Sequence, residues 1–297
     1  MAEEDKSRYV KKPHIAVSIL IGIYVAIRTV FVMYAVIFTI VATVVMVKGY
    51  FYLKGAFQEH VMEPYNEIRR LAEEHPEESA YMTQIRDLLR GRGEPDTLVW
   101  RFVPLDSISR HLINAVLAVE DDGFYTHPGI SLDAIVEAIE RNRASNSLKR
   151  GGSTITQQLA KNLFLTPERT FERKIKELGY ALMLEKYLGK DRILELYLNY
   201  AQWGKNVFGV EAAARTYYRK SAATLTLTES ARMAACLSMP TKITPHHTRS
   251  NYMAQRVMII ANNMYLRRRI DGAGYTALTG IAPPGKELAV EDDNGID

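Results

Sequence analysis

Only one cysteine, Cys236, occurs in the 297 residues. No intrachain disulfide can form, and no Cys-rich metal site can be built. No G-x-G-x-x-G opens a helix after a strand, and strands do not alternate with helices. A nucleotide-binding α/β fold is therefore excluded. Charge of one sign is also scarce: 38 basic residues face 34 acidic ones, a formal net charge of +4. That balance is too weak to argue for a nucleic-acid partner. The stretch TVFVMYAVIFTIVATVVMV, residues 29–47, lacks charge, proline and glycine altogether. It is close to the roughly 20 residues that a helix needs to cross a bilayer core. It is also too long for a secretory signal, and no small-x-small cleavage site follows it.

The flanks of that run set an orientation. Upstream lie Lys6, Arg8, Lys11, Lys12 and Arg28, whereas only Lys48 and Lys54 follow closely. Positive charge stays on the cytoplasmic side, so the N-terminus is expected inside and the remainder outside. PHIAVSILIGIYVAI before Arg28 is apolar too, but no turn residues separate it from the main run. One long tilted helix with Arg28 snorkelling is the simpler construction.

Beyond the span, aromatics (Tyr50, Phe51, Tyr52) and the charged stretch EIRRLAEEH read as a helical stalk, which GRGEPD closes. TLVWRFV is a brief extended segment. From Asp106 to about Leu266 the period is helical: Ile155, Leu159 and Leu163 form one apolar face. Phe171, Ile175, Leu178 and Leu182 form a second, and Ile193, Leu194, Tyr197 and Leu198 a third. APPGKELAVEDDNGID at the end is too polar to pack and is expected to be disordered.

Three stretches carry chemistry. AVLAVEDDGFYTHPGI ends an apolar run in Glu120, Asp121 and Asp122, more acids than a helix end needs. In RGGSTITQQLAKNLF, Thr154 and Gln157 fit a capping box, and the helix start they mark suits an anion. In ERTFERKIKELGY, Arg169, Arg173 and Glu177 are spaced by four on one face. Lys161, Arg169, Lys174 and Lys176 add cations fit for a phosphate or diphosphate headgroup. Two separated carboxylates suit chemistry at an anomeric carbon, one taking a proton and the other assisting departure.

EDDGFYTHPG, GGSTITQQLAKNLF, RKIKE, KDRILELYLN and FGVEAAARTYY follow, in order, five motifs. Over residues 100–265 the chain resembles the peptidoglycan glycosyltransferases, or murein polymerases, of glycosyltransferase family 51. No S-x-x-K or K-T-G occurs, so the likeness is to the monofunctional biosynthetic transglycosylases rather than the bifunctional penicillin-binding proteins. The resemblance implies a mostly α, lysozyme-like bilobed catalytic domain behind an N-terminal transmembrane helix. The expected division is 1–28 cytoplasmic and juxtamembrane, 29–47 spanning, 48–99 stalk, 100–266 glycosyltransferase and 267–297 tail.

The resemblance also implies roles. Glu120 becomes the base that deprotonates the acceptor 4-hydroxyl of lipid II, and Asp121 supports it. The acceptor attacks the lipid-linked chain with inversion, giving a β-1,4 link and releasing undecaprenyl diphosphate. Glu177 sits by the donor diphosphate, with or without a divalent metal (Mg or Mn). Lys161, Arg169, Arg173 and Lys176 grip that diphosphate, with Lys174 beside them. Ser153, Thr154, Gln157, Gln158 and Asn162 line the cleft. No cofactor is required. The expected partners are lipid II, the growing glycan, the membrane and other cell-wall synthesis proteins, not nucleic acid. The expected site is the outer face of a bacterial inner membrane.

Other residues receive lesser roles. His127 is a hydrogen-bonded structural histidine, Phe124 a core anchor and Asp122 a solvated acid. Glu195, Tyr197 and Asn199 are architectural, and Ala212 to Ala214 serve close helix packing. Gly123 stands where many family members carry a basic residue. ERNRASNSLKRGG, between the first two motifs, is a loop that closes over lipid. The rival readings are a lysozyme-like enzyme that cleaves the same polymer and a catalytically silent scaffold.

Overall fold

The computed structural model describes residues 15–58, 63–131, 152–166 and 170–285. Its contacts divide the chain into two units, Met1–Pro64 and Tyr65–Asp297.

The first unit is dominated by α1 (Ile15–Phe57), an unbroken helix of 43 residues. Arg28 lies within it without a turn, as the missing breaker residues required. Its large apolar side chains are exposed, and Val17–Gly55 is apolar and long enough to cross a membrane. Thr29, Thr39 and Thr43 each donate their hydroxyl to the carbonyl four residues back, at 2.8 Å. Their polarity is thereby satisfied inside the helix, a condition of life in hydrocarbon.

The second unit is mostly helical. Its elements are α2 (Glu63–Arg70), α3 (Ala80–Gly91), α4 (Arg110–Glu120), α5 (Ile155–Phe164), α6 (Phe171–Leu188) and α7 (Lys190–Tyr200). They continue with α8 (Val210–Tyr218), α9 (Leu227–Cys236), α10 (Asn251–Leu266) and α11 (Gly272–Thr279). Two short strands, β1 (Val99–Trp100) and β2 (Val207–Phe208), pair in parallel, Val99 opposite Val207. Gly209 follows β2 at φ +76°, where a Cβ would meet the Asn199 carbonyl oxygen at 2.7 Å. Only glycine fits there.

Packing sorts the helices into two groups. α4, α9, α10 and α11 lie against one another, and α3, α6 and α7 lie against α5. Leu112, Ala115 and Val116 fill the first group, and Ile155, Leu159, Ile193 and Leu194 the second, all fully buried. Phe124 is fully buried as an anchor, and Ala212 to Ala214 are buried in α8.

Three expectations need correction. The stalk is shorter than 48–99, because Ile68, Leu71 and Met82 belong to the core of the second unit. Arg192 stitches that segment down by donating to the carbonyls of Leu71 and Glu74. The tail begins later than 267, since α11 buries Tyr275, whose hydroxyl donates to Asn262 at 2.8 Å. Finally, the apolar stripe of α6 does not face the core. Phe171 is 82% exposed, Ile175 54% and Leu182 49%, whereas Glu177, Ala181 and Leu184 point inward. The polar face wins because its charges find partners there.

Candidate active site

Glu120 is the last residue of α4, a helix whose apolar side chains bury six positions before it. Its carboxylate accepts from Gln158 Nε2 at 3.0 Å and lies 3.5 Å from the Arg256 guanidinium. Burial raises its pKa above the ordinary glutamate value, opposed by Gln158, Arg256 and Lys161. Gln158 is itself oriented, because its carbonyl accepts from Tyr197 O–H at 3.3 Å. Burial, then the charges of Glu120 and Asp121, push the Tyr197 phenol well up and keep it a donor. Tyr197, expected to be architectural, thus stands one hydrogen bond behind the base.

Asp121 looks away from solvent. It accepts from the Ile155 backbone N–H at 2.9 Å and from His127 Nε2 at 2.9 and 3.0 Å. The α5 N-terminus, read as an anion site, therefore holds the protein's own carboxylate. Thr154 and Gln157 close the capping box at the same point and are buried. Their side chains bond within the fold: Thr154 O–H donates to the Gly129 carbonyl at 2.6 Å, and Gln157 Oε1 accepts from Thr154 N–H. Both were expected in the cleft lining; the cap occupies them instead. His127 Nδ1 accepts from Gly129 N–H at 3.1 Å, so Nε2 carries the proton donated to Asp121.

Gly129 itself has φ +88°, and a Cβ there would strike Glu185 Cγ at 2.6 Å. Glu185 in turn accepts from Thr156 O–H and pairs with Lys190, whose ammonium also donates to the His127 carbonyl. Asp122 is not a solvated acid. It pairs with Arg267 Nε at 2.6 Å and Arg269 NH1 at 2.7 Å.

On α6, Glu177 is buried, and its two oxygens are taken by Arg173 NH1 at 3.0 Å and by Lys174. Lys174 also donates to Ser153 Oγ at 3.3 Å, tying α6 to the start of α5. The Lys161 ammonium makes no hydrogen bond among the described residues, and the residue is exposed. The protein mass around it lowers its pKa, while Glu177 and Glu120 both pull it back up. One cation therefore feels both glutamates. Lys176 pairs with Glu172 at 3.0 Å and, with Arg173, Thr166, Thr170 and Tyr180, lines a cavity of about 290 Å³. Asn162 is buried in α5. Arg169 and nearly all of the expected closing loop lie outside the described residues.

The structure thus groups Glu120 with Gln158 and Arg256, and Glu177 with Arg173, Lys174 and Ser153, while Lys161 feels the charge of both glutamates. The residues do not form a metal cage. Both Glu177 oxygens already face cations, and Glu172 pairs with Lys176. Among the described residues, no three His, Cys, Asp or Glu side chains cluster. Arg256 and Asn263 escaped the sequence because they lie more than a hundred residues after Glu120, with no local pattern to mark them.

Comparison with known proteins shows the family. A family model described as transglycosylase matches residues 94–265. The biosynthetic peptidoglycan transglycosylase of Paraburkholderia phytofirmans is 48% identical over 174 residues, spanning 58% of this chain and 72% of that protein. Its counterpart in Cupriavidus pinatubonensis is 44% identical over 207 residues, 68% of this chain and 75% of its own. That of Burkholderia multivorans is 45% identical over 190 residues, 64% and 77% respectively. With a mostly helical unit and a matched segment that covers all five motifs, the chain belongs to the transglycosylase family.

Proposed function

We propose that the protein polymerises lipid II into β-1,4 glycan strands of peptidoglycan, with Glu120 as general base. The observation that carries the reading is the state of Glu120: largely covered, raised in pKa and oriented by Gln158. A carboxylate so placed is a stronger base than an ordinary glutamate. The acceptor 4-hydroxyl gives its proton to Glu120 as its oxygen bonds to the donor's anomeric carbon. The bond from that carbon to the diphosphate oxygen breaks with inversion, and undecaprenyl diphosphate leaves.

The leaving group carries negative charge. Arg256 lies beside Glu120, whereas the cations that act with Glu177 are Lys161, Arg173 and Lys174. We assign charge neutralisation to them and to Arg169, not to a metal. Pre-placed positive charge in a partly dry site stabilises departure more than it would in water. Glu177 holds Arg173 and Lys174 in place. A glycan-cleaving enzyme has no diphosphate to grip, so this cationic group favours synthesis.

The substrate is membrane-borne, and two features support a membrane setting. One is α1. The other is the exposed stripe of Phe171, Ile175 and Leu182 on α6, bordered by Lys174 and Lys176. Apolar groups rimmed by cations suit the headgroup boundary of an anionic bilayer.

The deciding experiment uses the full chain in detergent with fluorescent lipid II, products being sized on a gel. A ladder of lengthening glycan supports the reading. Shortening of purified cell-wall glycan would support cleavage, and inertness towards both would support a scaffold.

A further inference from the structure

We propose that Arg269, with Arg267 beside it, is a positioning residue for Glu120, clamping the turn that follows the base. The proposal rests on the assignment of Glu120 as the base. Both arginines lie beyond the segment that the transglycosylase family model matches, residues 94–265.

The geometry is a splint along the end of α4. Asn263, on α10, donates Nδ2–H to the Ala118 carbonyl at 2.6 Å. Such a carbonyl, in the last turn of a helix, has no partner within the helix. Arg256, two turns earlier on α10, reaches Glu120 at 3.5 Å. After α10 ends, Arg269 donates NH1–H to Asp122 Oδ1 at 2.7 Å and NH2–H to the Asp122 backbone carbonyl at 3.1 Å. Arg267 takes the second carboxylate oxygen at 2.6 Å. Residues 118, 120 and 122 are thus held from one element, while Asp121 is held from the opposite side by α5 and His127.

Arg269 is the more telling of the pair. Its side chain is 18% exposed against 61% for Arg267, and it alone grips both the side chain and the backbone of Asp122. The chain reaches this position by a left-handed residue, Arg268 at φ 55°. That conformation is strained for a non-glycine residue, and it persists where neighbours over-determine it. The Arg269 backbone N–H bonds the Met264 carbonyl at 2.7 Å, pinning the turn. A displacement of about 1 Å at a reacting group costs on the order of 100-fold in rate. A clamp on the turn that carries the base therefore acts on kcat.

The test measures kcat and KM with lipid II, and thermal melting, for the full-length parent, Arg269→Ala, Arg269→Lys, Asp122→Ala and the Asp122→Ala/Arg269→Ala double variant. Arg269→Ala should lower kcat by roughly 10- to 100-fold and leave KM within about twofold. Asp122→Ala should lose less, because the backbone bond survives, and Arg269→Lys should recover part of the loss. The double variant should lose less than the two single losses combined, since the Arg269–Asp122 interaction cannot be lost twice. Parental kcat in Arg269→Ala, or additive losses in the double variant, overturns the clamp. Should Arg269→Ala melt below the assay temperature, Arg269→Met, which keeps the stem and loses every donor, decides, and parental kcat there overturns the proposal equally. A parent that forms no polymer takes down the polymerase reading and the clamp with it. A polymerising parent with an unaffected Arg269→Ala takes down the clamp alone.

Discussion

Glu120 must be charged to accept a proton, yet it sits at the buried end of an apolar helix. Its raised pKa means that the folded chain binds the proton more tightly than the unfolded chain does. Stability therefore falls as pH rises from the unfolded glutamate value through the folded one. Replacing the carboxylate with an amide removes that penalty and the base together. Glu120→Gln should lose at least about 100-fold in polymerisation. The same variant should melt higher than the parent at pH 8, with the difference vanishing below about pH 4. Near-normal polymer yield would refute the base assignment, and a lower melting point at pH 8 would refute the burial argument. In the parent, kcat should fall on the acid side with a limb above the ordinary glutamate value.

Lys161 works in the opposite sense. Its lowered pKa brings the loss of its charge below the ordinary lysine value as pH rises. Lys161→Ala should raise the KM for lipid II, and added salt should produce the same change in the parent, because screening weakens partly exposed charge contacts. A variant indistinguishable from the parent across salt concentrations would place the diphosphate elsewhere.

Among the elements, α5 was the most legible in sequence. Thr154 and Gln157 announce its start, and Ile155, Leu159 and Leu163 announce its inner face, because both signals are local. Thr154→Ala should cost about 1 kcal/mol for the cap, seen as a lower melting temperature. The Gly129 carbonyl loses its partner in the same variant, so the loss should not fall below that figure. α6 was legible as a helix but not in its rotation. Its sequence offers an apolar and a charged stripe, and periodicity alone cannot say which faces inward. The partner from outside the helix is Ser153, which accepts from Lys174, while Arg173 and Lys174 meet Glu177 within α6. Arg256, Asn263 and Arg269 were illegible for a related reason, since a contact between distant segments leaves no period.

The outward stripe gives this scale its own prediction. Phe171→Ser with Ile175→Ser should reduce polymerisation in anionic vesicles several-fold and leave it unchanged in detergent micelles. Equal activity of parent and variant in vesicles would show that the stripe meets no bilayer.

At the scale of the whole molecule, the reading depends on which side of the membrane the Tyr65–Asp297 unit occupies. Lipid II is polymerised outside the cytoplasm, so both glutamates are useless if the chain returns inside. An unbroken α1 permits one crossing and no hairpin, because a return needs a turn that the helix does not contain. At 43 residues it is about 65 Å long, roughly twice a ~30 Å hydrocarbon core, so its ends run on into the headgroups and beyond. Arg28 divides its apolar length and is best accommodated near the inner headgroups, with Thr29 to Val47 in the core. Four cations precede α1, Lys6, Arg8, Lys11 and Lys12, whereas Lys48 and Lys54 lie in its last turns. That asymmetry predicts an N-terminus in the cytoplasm. Alkaline phosphatase, which folds only outside, should be active when fused after Asp297, and green fluorescent protein exported unfolded to the same point should stay dark. The reverse pattern would mean that residues 14–27 and 29–47 cross separately. The unbroken α1 would then be wrong at Arg28, and the polymerase reading would fall with it, because Glu120 would face a compartment without substrate.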